Sequence, residues 1–205
     1  MLLIYTPRIT NRLRYITGLM LRDLLGLELV FTSREDEYLS CEGPKLCYGK
    51  CLATGELFIA SSGLLFETGI TGKEMHYFDF GDSKAFFLVY DTTSLFPFDI
   101  FSASFFLVSR YEEYLPHFRD IHGRFPAQES EAFKQGFLRR PLVNIWTVAI
   151  KEALAARYPV IVFRKRTFRF QPTYDIDAAY AFSHKGFTRT LGGFLKTIQA
   201  GNFKE

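Results

Sequence analysis

From Asp99 to Val108 the chain reads Asp-Ile-Phe-Ser-Ala-Ser-Phe-Phe-Leu-Val, a run that winds as a helix with apolar side chains nearly all round it. A helix of that kind has no face to offer water, so it has to be buried and the rest of the chain has to enclose it. The material is there. Hydrophobic residues make up 48% of the chain, and Phe alone occurs 23 times. The helix gives way at Ser109-Arg110-Tyr111-Glu112-Glu113-Tyr114, with Pro116 just beyond.

What precedes it has the periodicity of an α/β domain. Residues 2–5 read as a short strand, and Thr10 is a helix N-cap for a run to Leu25 that stops at Gly26. Leu27 to Phe31 alternates as a second strand, and strand–helix–strand in this order implies some parallel pairing. Lys45–Tyr48, Leu57–Ala60, Leu64–Phe66 and Ala85–Val89 read as further short β runs between glycines. After the buried helix comes a polar loop with His117, Asp120, His122, Gly123 and Arg124, then a short helix near 130–136. Pro141 starts another helix that ends at Tyr158-Pro159, with Trp146 on its core face beside Leu142 and Ile150. Val160–Phe163 and Phe168–Ile176 read as strands, and Phe187, Leu191, Phe194 and Ile198 lie at helical spacing.

Charge and targeting signals narrow the function classes. The formal net charge of +3 arises from 25 basic and 22 acidic residues spread along the chain, without the basic, aromatic-interleaved stretch of a nucleic-acid binder. No run reaches the roughly 20 apolar residues of a membrane span, and the N-terminus lacks the apolar core of a secretory signal. Cys41, Cys47 and Cys51 are odd in number, irregularly spaced for zinc and without a nearby His. A reduced, cytoplasmic setting is expected. The loop after the first strand, Tyr5-Thr6-Pro7-Arg8, has none of the glycines of a nucleotide phosphate loop.

Candidate chemistry falls in two places. On a strand Asp175 and Asp177 share a face, opposite Phe168, Phe170, Tyr174 and Ile176. The pair is either an ordinary strand-to-loop junction or a metal ligand beside a general base. The second place is a charged cluster of Arg110, Glu112, Glu113, Asp120, His122 and Arg124, which is either structural or ligand-binding. Glu112 and Glu113 are adjacent on a helix and do not face each other, which excludes them as a paired acid and base. Asp120 and His122 form an Asp-x-His that either caps its loop or ligates a metal.

Thr173-Tyr174-Asp175-Ile176-Asp177 resembles the first motif of the polysaccharide deacetylase (NodB-type) family in its Asp-x-Asp form. Phe98-Asp99-Ile100-Phe101, the Ser109–Tyr114 block, Asp120-x-His122-Gly123-Arg124-Phe125, Gly136-x-Leu138-x-x-Pro141 and Lys185-Gly186 resemble a bacterial N-terminal domain that precedes such a deacetylase-like domain. The resemblance implies that Asp175 is the general base and Asp177 a metal ligand. It implies zinc or a similar divalent cation, and an acetylated glycan substrate, for the full-length parent.

The family's His-x-x-x-His pair is missing: none of His76, His117, His122 and His184 are four apart. A barrel of that kind takes about 200 residues or more, against the 33 from Thr173 to Glu205. The expected organisation is therefore an α/β, mixed-sheet N-terminal domain over 1–166, then the first β-α unit of an incomplete (β/α) barrel over 167–205. On this reading the remainder of the barrel is its partner, and the chain alone neither deacetylates nor holds metal tightly. The alternative is a non-catalytic accessory domain that binds a glycan or a protein partner.

Overall fold

The computed structural model describes residues 1–165, 167–175, 191 and 196. The chain divides into two compact units, Met1–Lys165 and Arg166–Glu205. In the first, β1 (Leu2–Tyr5), β2 (Leu29–Thr32), β3 (Lys45–Tyr48) and β4 (Phe58–Ile59) form one sheet in the order β2-β1-β3-β4. All three pairings are parallel, with Leu2 opposite Leu29, Ile4 opposite Leu46 and Cys47 opposite Phe58.

The sheet is covered on both faces, as parallel sheets usually are, and β1 is accordingly apolar and buried at every position. One face carries Leu2, Ile4, Leu46, Tyr48 and Ile59 into the main core. Leu13, Ile16, Met20 and Leu21 meet it from the first helix, with Phe101, Phe106 and Trp146 from later elements. The opposite face, with Leu3, Tyr5, Cys47, Phe58 and Ala60, is closed by Tyr38 of the short helix α2 (Glu35–Ser40). The Tyr38 hydroxyl is buried there without a hydrogen-bond partner among the described residues.

The first helix begins as α1 (Asn11–Thr17) with Thr10 as its N-cap: its hydroxyl accepts the Leu13 N–H at 3.1 Å. It continues through Gly18–Leu24 in π geometry. Gly26, at φ +78°, turns the chain into β2. The all-round apolar helix is α3 (Ile100–Val108), with six of its nine residues buried. Short helix α4 (Glu131–Lys134) and α5 (Leu142–Arg157) follow, and α5 sends Trp146, Ile150 and Leu154 into the core.

The α/β class holds, but the strands do not make one mixed sheet. β5 (Phe78–Phe80) and β6 (Ser83–Ala85) pair antiparallel in a separate hairpin. Its Phe80 packs edge-on to Phe98 at 5.1 Å. Four expected strands are corrected. Leu64–Phe66 is a 3-10 turn, entered through Gly63 at φ +98°. The run expected over 85–89 ends at Ala85 because Phe87 takes φ +62°, outside any strand conformation. Residues 160–163 and 167–175 form no strand, and Phe168, Phe170 and Tyr174 are exposed. Alternation alone does not make a strand; it needs a partner edge.

Gly49 directly follows β3 at φ +85°, and a Cβ there would lie 3.0 Å from the Phe66 ring. Gly49→Ala is expected to cost about 1–2 kcal/mol from the left-handed backbone alone, plus the displacement of Phe66. Thermal unfolding followed by circular dichroism measures it; a melting temperature equal to wild type would contradict the close approach.

Candidate functional site

The Ser109–Tyr114 block does not continue α3. Arg110 takes the left-handed conformation, φ 54° and ψ 41°, and breaks the helix, after which Tyr111–Tyr114 forms a 3-10 turn. A non-glycine residue held there is strained, and such residues concentrate at binding sites. Tyr111 anchors the turn from below: its buried hydroxyl accepts the Thr71 N–H at 2.9 Å and donates to the Thr71 carbonyl at 3.2 Å.

The break separates the two glutamates. Glu113 swings to solvent, where the Arg110 Nε donates to it at 2.7 Å and the second guanidinium nitrogen forms an ion pair with the same oxygen. Glu112 turns inward and is half-buried; its Oε2 accepts the Glu131 N–H at 2.8 Å, which ties the turn to the start of α4. Glu131 in turn accepts from the Tyr77 hydroxyl at 3.0 Å. Burial raises the Glu112 carboxyl above the ordinary glutamate range, the N–H it accepts pulls it down, and the Glu131 carboxylate adds to the rise.

Glu112 lines a cleft of about 270 Å³. Arg110, Ser130, Arg140 and Asn144 supply the polar rim, with Leu107, Phe137 and Leu142 among the apolar walls. A single half-buried carboxylate, guanidinium groups and an amide on an apolar wall can bind a polar organic molecule. They make no pair of acid and base.

The rest of the charged cluster does not join it. Asp120 closes its own loop: one carboxyl oxygen accepts the N–H groups of His122 and Arg124, each at 2.8 Å. Gly123 at φ +73° completes the turn. His122 and Arg124 are exposed. Of the two readings of Asp-x-His, the loop cap is the one that forms. Among the described residues no three His, Cys, Asp or Glu side chains gather as a metal site. The three cysteines are free thiols, and burial pushes the Cys47 thiol up to about 11. No helix among the described residues is long and apolar enough to cross a membrane.

Asp175 is exposed in the second unit, and Asp177 lies outside the described residues, as does the expected helix around Phe187 to Ile198 apart from the exposed Leu191 and Lys196. The largest polar constellation of the first unit centres on Asp99, which the sequence marks only as a helix start. Its carboxylate is fully buried and receives five donors, from Tyr48, Ser62 and Ser102. The signal available was an Asp before a wholly apolar helix, which has to find partners when the helix is buried.

A family model described as a family of unknown function (DUF7033) matches residues 2–159. Neither a curated protein nor a solved structure matches the chain.

Proposed function

The chain belongs to the DUF7033 family, and on that premise we propose that it is the leading part of a metal-dependent carbohydrate deacetylase. Residues 1–165 serve as a non-catalytic module, and the catalytic machinery begins at Thr173–Asp177. The observation that carries this reading is the position of the Asp-x-Asp motif. It falls beyond Lys165, where the first compact unit closes, and Asp175 is open to solvent. The first unit supports it from the other side: Glu112, the half-buried carboxylate of the cleft between the 3-10 turn and α5, has no acid or base partner in that lining.

In this reading Asp175 accepts the proton of the water that attacks the acetyl carbonyl; as the acetyl C–N or C–O bond breaks, a proton passes to the departing sugar nitrogen or oxygen, and acetate and the free amine or hydroxyl are released. Asp177 is a cation ligand. One carboxylate falls short of the four donors a zinc ion takes, so in this reading the histidines belong to the remainder of the parent.

The test uses the protein that contains this chain and its continuation, with acetate release from an acetylated glycan as the readout. Asp175→Asn is expected to lower turnover on the order of a hundredfold, with unchanged circular dichroism. Undiminished turnover in that variant would remove the general-base role. A parent that releases no acetate at all would leave the accessory, ligand-binding reading, with the Glu112 cleft as its site.

A further inference from the structure

A parallel sheet with helices on both faces has one place where ligands collect. It is the crevice outside the carboxyl ends of the strands where the connections part to opposite sides. Here that point lies between β1 and β3, since β1 is followed by β2 on one side and paired with β3 on the other. A cavity of about 440 Å³ opens beside the carboxyl end of β1, lined by Arg8–Arg12 and Phe66–Gly69. That is within the usual range for small-molecule sites, roughly 300–1,000 Å³.

Its walls are held in place before any ligand arrives. The Phe66 ring lies across the end of β3, close against Gly49 and tilted at 44° to the Tyr48 ring, 5.6 Å from it. The segment from Leu64 to Gly69 is clipped to the first helix by the Thr10 hydroxyl, which donates to the Leu65 carbonyl at 2.7 Å. Arg12 adds a bond to the Leu64 carbonyl at 2.9 Å and another to the Gly69 carbonyl. The guanidinium of Arg12 is thereby spent on the wall.

Arg8 is different. It is exposed, its guanidinium sits 5.7 Å from the Phe66 ring centre, and it makes no ion pair or hydrogen bond through that group with any described residue. Glu67, the carboxylate in the lining, is neutralised by Lys73, whose ammonium lies 2.6 Å from it. Glu35, at the start of α2, is likewise paired with Lys50. The crevice is therefore left with an uncommitted planar cation stacked on an aromatic ring, and with the amide of Asn11 and the hydroxyl of Thr68 beside it.

We propose that the β1–β3 crevice binds the oxyanion group of a small polar molecule, a phosphate ester or a carboxylate, through Arg8. The guanidinium presents parallel N–H donors that match either oxyanion, and it lies over the Phe66 ring. The loop after β1 has no glycine cradle, so recognition comes from side chains rather than from a ring of backbone amides. The inference is independent of the deacetylase reading, because it involves neither Asp175 nor Asp177.

The test is a titration of the 205-residue protein with inorganic phosphate and, separately, with acetate at constant ionic strength, read by amide chemical shifts. Saturable shifts are expected at residues 8–12, 49 and 66–69. Arg8→Gln should weaken them roughly ten- to a hundredfold, the loss of a charge-assisted contact, while leaving the remaining spectrum in place. Lys134→Gln, an exposed basic residue remote in the sequence, should leave the affinity unchanged. Shifts with phosphate alone assign a phosphate ester, and with acetate alone a carboxylate; both outcomes support the site. No saturable shift with either anion, or binding that survives Arg8→Gln, overturns it.

Discussion

Asp99→Ala is expected to cost the first unit about 3–5 kcal/mol, a large part of the 5–15 kcal/mol by which a domain is ordinarily stable. The reason is the number of groups left without a partner. One carboxylate oxygen accepts the Tyr48 hydroxyl at 2.9 Å, the Ser62 N–H at 2.8 Å and hydroxyl at 3.1 Å, and the Ser102 hydroxyl at 2.5 Å. The other oxygen accepts the Ser102 N–H at 3.0 Å and so caps α3. Each buried donor orphaned by the truncation costs about 1–3 kcal/mol, reduced where hydroxyls such as Ser61 and Tyr48 re-pair with each other. The network ties the end of β3, the loop after β4 and the start of α3 together, which are far apart in sequence. Urea unfolding followed by circular dichroism gives the number. A midpoint shift worth less than about 1 kcal/mol would show that Asp99 is an ordinary cap.

The same residue makes stability depend on pH in a stated direction. Burial raises the Asp99 carboxyl above its usual range, and the hydrogen bonds from Ser102, Ser62 and Tyr48 offset part of that rise. The native state therefore keeps the proton at pH values where the unfolded chain has lost it. The contribution is complete below the ordinary carboxylate pKa and declines as pH rises towards the raised one. Glu112, also raised by burial, acts with the same sign. Asp99→Asn should flatten that part of the stability–pH curve, and an unchanged slope would assign it elsewhere.

Trp146→Ala should cost a similar 3–5 kcal/mol, through a cavity rather than through orphaned donors. The indole is fully buried, with its ring centre 5.3 Å from Phe98 and 5.9 Å from Phe86. It is the residue through which α5 closes the main core over α3 and the Phe-rich segment around Phe86 and Phe98. Its Nε1–H is buried without a partner among the described residues. Trp146→Phe removes that unpaired donor along with part of the volume, so it should cost clearly less than the alanine. Equal costs for the two variants would show that volume does not set the effect. Trp146 is the single tryptophan of the chain, so unfolding has to be followed by circular dichroism.

Some of this structure could be read from local patterns and some could not. The opening strand–helix–strand, the Thr10 cap, the buried helix after Asp99 and the core position of Trp146 all follow from periodicity and capping. Those signals act over a few residues and survived folding unchanged. The misread strands are the short apolar runs: Leu64–Phe66 became a turn because Gly63 took a positive φ, and the 85–89 run was cut short at Phe87. The polar helix α2, Glu-Asp-Glu-Tyr-Leu-Ser, went unpredicted, since one buried side chain, Tyr38, gives no detectable period. The charged block looked like one cluster along the sequence. Folding divided it, because strain at Arg110 turned Glu112 inward while Asp120 closed a separate solvent loop.

By itself, then, the sequence determined the α/β class and the buried helix. Tertiary structure alone decided that the strands segregate into a parallel sheet and a hairpin, that Asp99 anchors five donors, and that Arg8, unpaired among the described residues, lies over Phe66. The physical reason is range. Propensity, capping and periodicity are properties of neighbours along the chain, whereas partner choice for a strand edge, a buried carboxylate or a guanidinium is settled by residues outside that local range, as with Tyr48 and Asp99.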